Sequence, residues 1–242
     1  MKPDFAEPLL KRLRLTTDIS TEEEEAVLRL PVTVRQLRGG ETIVRTGDTP
    51  TVCCLIIDGF VHRSKIVAED RRQILAFHQP GDIPDLLSLY LHVLDHDVIT
   101  LGDCVLGFIP HDPLRVLIRN NPLVTEALWR DTLIDAAIFR EWICNLGQRD
   151  ATSRLAHLII EVYTRLSMIG RVADHSFRFP VTQAVLADAI GVSVIHLNRV
   201  LQELRTRRLL EFEQGNVSIL NMKQLRQVAD FEPLYLHLNP AL

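Results

Sequence analysis

Residues 183–202, QAVLADAIGVSVIHLNRVLQ, constrain this chain more than any other stretch. They fit a helix-turn-helix at every position where that motif is demanding. Ala187 is small where two helices must cross closely. Gly191, four residues on, sits in the turn, where a backbone with positive φ is least costly without a Cβ. Leu186, Ile190, Val192, Leu197 and Val200 supply the buried positions. The remaining face carries Ser193, Val194, Ile195, His196, Asn198, Arg199 and Gln202, largely polar and free to meet a DNA groove. An ordinary αα-hairpin in a helical core would meet only some of these demands. The following stretch, LLEFEQGNVSIL (Leu209–Leu220), reads as two short strands around a Gly215-Asn216 hairpin turn. A helix-turn-helix followed at once by a hairpin predicts a winged DNA-binding domain.

A formal net charge of −4 sits oddly with DNA binding until its distribution is considered. Residues 1–147 carry 16 Lys and Arg against 22 Asp and Glu, whereas residues 148–242 carry 11 against 9. Within 193–208, Arg199, Arg205, Arg207 and Arg208 are opposed only by Glu203. The expected recognition helix is therefore locally basic, and the acidic remainder suppresses nonspecific attraction to phosphate. The length, 242 residues, suffices for two separate cores. The longest apolar run, Val52–Ile57, has six residues, so no membrane span is expected. The N-terminus, MKPDFAEPLLKRLRL, lacks a signal-peptide core, which favours a cytoplasmic protein. Cys53, Cys54, Cys104 and Cys144 form no CxxC pair and suggest no disulfide framework.

Along the chain, the first ~30 residues read as helical, with Ser20 and Glu23 forming a capping-box pattern. From Val32 to Pro110, short β-branched runs alternate with turn signals, among them Asp58-Gly59, a hairpin signal, and Gly102-Asp103. This pattern predicts a small antiparallel barrel or roll. Pro113–Asn120 reads as a short helix, and Asn121-Pro122 opens a long one to about Leu146. The long helix is apolar over much of its circumference, but Asp131 and Glu141 break any clean heptad. Such a surface must be covered on more than one side, either by the chain's own roll alone or by the roll on one side and the same helix of a second subunit on the other. Gly147-Gln148-Arg149-Asp150 is the expected hinge, followed by an amphipathic helix, the segment FRFPVT, the helix-turn-helix, the wing and a short helix over Met222–Asp230. The expected fold class is α+β, with three parts: an N-terminal antiparallel β-roll sensory domain (1–120), a long dimerisation helix (121–147) and a winged helix-turn-helix domain (148–242).

This order of parts resembles the Crp/Fnr family of bacterial transcription regulators. The resemblance is most specific at GQRDATSRLAHLIIEV, at PVTQAVLADAIGVSVIHLNRVLQELRTRRLLE and in the tail FEPLYLHL. It implies a homodimer on a two-fold symmetric site in double-stranded DNA, with contact to RNA polymerase. Where cyclic-AMP-responsive members carry Arg and Glu early in the recognition helix, this chain has Val194 and Ile195; where they carry a later Arg, it has Arg199. Arg199 is suited to guanine O6/N7, and Val194 and Ile195 to thymine methyls. Asn198 suits adenine or phosphate, His196 a base or phosphate. Ser193, Gln183 and Gln202 complete the expected DNA face. Thr182 is expected to cap the first helix and face phosphate, and Arg205 to follow the backbone.

The family's cyclic-nucleotide binders have Gly-Glu followed by Arg-Ser or Arg-Thr. Here the corresponding stretch is GDIPDLLSLYLHVLDHDVIT, and no Lys or Arg occurs from Gln73 to Leu114. Without a cation, a phosphate beside Asp82, Asp85, Asp95 and Asp97 would be strongly disfavoured, so cyclic AMP is not the expected ligand. An Fnr-type iron–sulfur cluster is not expected either, because no cysteine precedes Cys53 and neighbouring cysteines on a strand alternate faces. His92 and His96 read most simply as part of a solvated polar loop or surface helix, and offer an alternative: on a helix they would share a face and could hold haem or a metal, beside an apolar pocket from Leu86–Leu94. No cofactor is otherwise identified. An enzyme of the cupin type would need a His-x-His pair, which the nine histidines do not contain, and would leave residues 148–242 unexplained. A winged domain that binds protein rather than DNA is a third class, separated from the first by the salt dependence of DNA binding.

Overall fold

The computed structural model describes residues 6–67 and 71–238. Two helices come first, α1 (Ala6–Arg14) and α2 (Thr21–Leu28). The capping box forms: Ser20 Oγ accepts from Glu23 N, and the Glu23 carboxylate accepts from Ser20 N, both at 3.3 Å. The other Glu23 oxygen accepts from Leu123 N at 2.8 Å, so this side chain serves the starts of two helices.

The roll is one antiparallel sheet of β1 (Thr33–Leu37), β2 (Thr42–Val44), β3 (Val52–Val67), β4 (Arg71–His78) and β5 (Asp97–Pro110), ordered β1-β5-β3-β4 with β2 paired to β5. Asp58-Gly59 and Gly102-Asp103 do not end strands, contrary to the sequence reading. They lie opposite each other inside the paired β3 and β5, where the register shifts between Asp58 and Phe60. Gly59 has φ +94°, and a Cβ there would lie 2.7 Å from Cys104 Sγ. The two glycine signals therefore bend a long ribbon rather than reverse the chain.

Beyond the roll lie α3 (His111–Asn120) and α4 (Pro122–Gln148), with Pro122 in the first turn of α4. Arg149 ends α4, and Asp150 begins α5 (Ala151–Met168) by accepting from Ser153 N at 2.8 Å. The chain continues through β6 (Ser176–Arg178), α6 (Gln183–Ile190), α7 (Val194–Thr206), β7 (Leu210–Glu213), β8 (Asn216–Ile219) and α8 (Met222–Ala229). The second sheet is ordered β6-β8-β7. Its hairpin turn is Gln214-Gly215, one residue earlier than the sequence suggested. Both residues have positive φ, +50° and +77°, as a two-residue type I′ turn requires.

The two halves share a core. Phe179, in the FRFPVT segment, is fully buried with its ring 5.6 Å from Phe60 and 5.1 Å from Phe77 of the roll. Phe77 in turn lies 5.9 Å from Trp142 of α4. Aromatic burial of this kind dominates interface energetics, so the winged half is packed on the roll and not merely tethered to it.

Candidate nucleic-acid interface

The helix-turn-helix is assembled by local chemistry. Thr182 Oγ1 accepts from Val185 N at 3.3 Å and caps α6; Ser193 Oγ accepts from His196 N at 3.2 Å and caps α7. Between them Gly191 adopts φ +68°, ψ 43°, closing α6 with a left-handed residue. A Cβ on Gly191 would lie 3.1 Å from Leu146 on α4. The two helices meet at 92°. Leu186, Ala187, Ile190, Leu197 and Val200 are buried, as expected, and Val192 is half-buried. Arg154 Nη1 donates to Ile190 O at 3.0 Å, satisfying a carbonyl at the end of α6.

None of the candidate DNA-facing residues is buried in the core. Thr182, Gln183, Ser193, Val194, Ile195, His196, Asn198, Arg199, Gln202 and Arg205 are all exposed. Ile195, at 70% exposure, is an apolar side chain standing free at the start of α7. Arg199 makes no ion pair or hydrogen bond among the described residues. Arg205 and Arg207 are already partnered: Arg205 Nη2 lies 2.8 Å from Glu213 Oε1 on the wing, and Arg207 Nη1 lies 3.1 Å from Glu203 Oε1.

Sequence reading missed a contact between the roll and this motif. Arg72 on β4 pairs with Asp188 on α6 at 2.8 Å, and Gln73 Nε2 donates to Asp188 O at 3.0 Å. Nothing in the local sequence links residues 116 positions apart.

In the roll, the stretch corresponding to a nucleotide site is organised around its own carboxylates. Asp82 accepts from Gln79 N at 3.1 Å and from Arg165 Nη2 of α5 at 2.8 Å; Arg12 Nε of α1 lies 3.4 Å away. Arg12 also pairs with Asp131, and Arg63 Nη1 with Asp135 at 2.5 Å. Arg63 Nε donates to Pro84 O at 2.7 Å. Burial raises the Asp82 carboxyl, but Arg165 and Arg12 outweigh it and hold the group below the usual carboxylate range. His78, whose Nδ1 lies 3.5 Å from Asp82, is pushed down by burial and then by Arg63, and so is neutral near pH 7. These groups border a cavity of about 60 Å³, room for only a few water molecules. The cations absent from residues 73–114 thus arrive from α1, β3 and α5, already matched by Asp82, Asp131 and Asp135.

His92 and His96 do not share a helical face, in contrast to the haem or metal reading. The chain over 91–96 is irregular: His92 is exposed, while His96 is buried with Nδ1 3.0 Å from Asp95. The stretch is the polar loop of the simpler reading, and the ligand alternative fails because a spacing of four gives a shared face only where the backbone is helical. No group of three metal-ligating side chains occurs among the described residues. The apolar pocket expected from Leu86–Leu94 does form, as a groove of about 400 Å³ among Leu86, Leu87, Tyr90, Leu91, Leu128 and Trp129. Cys53 and Cys54 are both buried, and they pack into different core clusters, as alternation on a strand requires.

Comparison with known proteins finds matches in both halves of the chain. Residues 34–121 match the family model of the cyclic nucleotide-binding domain, and residues 153–228 that of the Crp-like helix-turn-helix domain. The chain is 25% identical over 215 residues to transcriptional activator protein FnrA of Stutzerimonas stutzeri, covering 88% of this chain and 86% of that protein. It is 22% identical over 190 residues to nitrogen fixation regulation protein FixK of Bradyrhizobium diazoefficiens, covering 78% and 79%. The solved structure of FixK2 from Bradyrhizobium japonicum shares the fold with a TM-score of 0.74 at 22% identity, covering 82% of this chain and 98% of that one.

Proposed function

The chain belongs to the Crp/Fnr family of transcription regulators, and from that premise we propose that it is a homodimer reading an inverted-repeat DNA site with α7 in the major groove. The observation that carries this reading is the exposed face of a fully capped helix-turn-helix, with Arg199 free of any carboxylate among the described residues. Arg199 reads guanine bidentately, Val194 and Ile195 meet thymine methyls, and His196, Asn198 and Gln202 complete the base-facing surface. Thr182, Gln183 and Ser193 meet the backbone, fixing register without reading sequence, and Arg205 reaches it only by leaving its wing partner Glu213.

The surface of α4 supports the dimer. Trp129, Leu133 and Ile143 are exposed apolar side chains, Trp129 at 63% and Ile143 at 70%. With half-buried Ala136 and exposed Arg140 and Gly147 they follow the alternating four-three spacing of a helix–helix seam. Two such subunits would set their recognition helices one turn of DNA apart, ~34 Å. In this reading the roll takes no cyclic AMP, because Arg12, Arg63 and Arg165 are committed to aspartates. The protein works in the cytoplasm, where its DNA is, and meets RNA polymerase there.

Capture of genomic DNA fragments by the purified protein, with no ligand added, tests this. Enrichment of an inverted repeat is the expected result. A folded dimer that enriches no motif would refute binding in the unliganded state.

A further inference from the structure

We infer that Glu213, on the wing, is a specificity-determining residue: it withholds Arg205 from DNA phosphate and so depresses sequence-independent binding. The inference rests on the DNA-binding reading above.

The wing is acidic where it is exposed. Residues 209–220 contain no Lys or Arg, and strand alternation turns Leu210 inward while Glu211 and Glu213 face solvent. Glu213 pairs across the hairpin with Asn216, and the turn between them is only Gln214-Gly215. That short turn fixes Glu213 beside the last turn of α7, where its carboxylate meets Arg205 at 2.8 Å. The bond joins recognition helix to wing. Arg207 is engaged as well, by Glu203, which also accepts from Thr152 Oγ1 at 3.0 Å. Arg199 and Arg208 have no carboxylate partner among the described residues. Basic charge is therefore neutralised at the end of α7, apart from Arg208, and left free at Arg199, whose predicted role is to read a base.

The Arg205–Glu213 pair is exposed, its side chains 46% and 70% accessible. Such pairs are weak, so phosphate can displace Glu213. With Glu213 in place, however, each phosphate contact by Arg205 requires breaking that pair and approaching a carboxylate. Phosphate contacts carry no sequence information. A base-registered complex is held in one position by its base contacts, whereas nonspecific complexes shift freely to gather phosphate contacts. Restraining Arg205 therefore weakens nonspecific complexes more than the specific one.

The test is a salt titration of binding by fluorescence anisotropy, using a duplex carrying the enriched motif and a scrambled duplex of equal length. The proteins are wild type, Glu213→Gln, Arg205→Ala and the double variant, each checked for an unchanged melting temperature. Glu213→Gln is expected to steepen the salt dependence on scrambled DNA by about 0.9 in log–log slope, one added phosphate contact. Its fall in affinity between about 50 and 200 mM salt then grows by about 3.5-fold, and the ratio of specific to scrambled affinity drops at low salt. In the Arg205→Ala background the same substitution is expected to leave the slope unchanged. An unchanged slope and ratio for Glu213→Gln, or an equal change without Arg205, overturns the inference while leaving DNA binding intact. A wild-type protein that binds neither duplex overturns both.

Discussion

At the scale of single residues, the sequence is most legible where the chemistry is local. Thr182 and Gly191 were readable because a cap or a left-handed turn depends on residues within one helical turn; the Ser193 cap is equally local, but the sequence reading takes Ser193 only as part of the DNA face. Arg199 belongs with them: it is exposed, projects from α7 and lacks a partner among the described residues. Arg199→Ala should therefore cost about 1–3 kcal/mol of base discrimination, the worth of one bidentate contact, with no change in melting temperature or dimerisation. A mutant retaining wild-type affinity for the enriched motif would refute that docking. Asp85 was not legible, because its environment is built from a distant strand. It is buried and accepts from Cys54 N at 2.7 Å. Burial raises its carboxyl to about 7, against the lowering effect of that N–H. The unfolded chain releases this proton near pH 4, so between there and pH 7 the folded state binds more protons and loses stability as pH rises. Asp85→Asn keeps an acceptor for Cys54 N and removes the titration. Its stability relative to wild type should grow from pH 4 to pH 7, by up to a few kcal/mol. Parallel melting curves across that range would show that Asp85 does not titrate there.

At the scale of elements, types were easier to read than ends. Asp58-Gly59 and Gly102-Asp103 have the composition of turns, but each occurs within a strand whose partner bends at the same place. Only pairing distinguishes a shared bulge from two hairpins, and pairing is not visible in one strand's sequence. The long helix α4 shows a related difficulty. Asp131 and Glu141 obscured its seam, yet neither faces outward as a free charge: Asp131 pairs with Arg12, and Glu141 with Arg149 at 2.6 Å. With those two assigned to the inner and flanking faces, Trp129, Leu133 and Ile143 remain as an outer apolar stripe. Placing a charge on that stripe should block helix pairing without disturbing the core beneath. Ile143→Glu is expected to sediment as a folded monomer and to lose most of its affinity for the full inverted repeat. Sedimentation as a dimer would move the subunit interface off this face.

At the scale of the whole molecule, the roll and the winged half are joined by contacts that neither half encodes alone. Phe179 inserts between Phe60 and Phe77, and Arg165 of α5 reaches Asp82 and also donates to Phe77 O at 2.9 Å. Gln79 Nε2 returns a bond to Arg165 O at 3.0 Å. The sequence reading recognised that residues 73–114 lack cations, but not that α1, β3 and α5 would supply them, since those segments meet only in the folded chain. The Asp82–Arg165 pair is buried, so removing one partner leaves the other charged, desolvated and short of a counterion. Asp82→Asn should then cost about 3–5 kcal/mol, whereas Asp82→Asn with Arg165→Met should be destabilised by clearly less than the two single losses combined. Acid should mimic the single substitution. The folded-state value of Asp82 lies below its unfolded one, so its stabilisation is present above about pH 4 and is lost as pH falls through the lower value. A second consequence follows for DNA: if this pair helps to orient α5, and with it the helix-turn-helix, the single variants should weaken binding to the inverted repeat under conditions where they remain folded. Additive losses in the double variant, with DNA affinity unchanged in all three, would mean that the aromatic core around Phe179 joins the two halves and the ion pair does not.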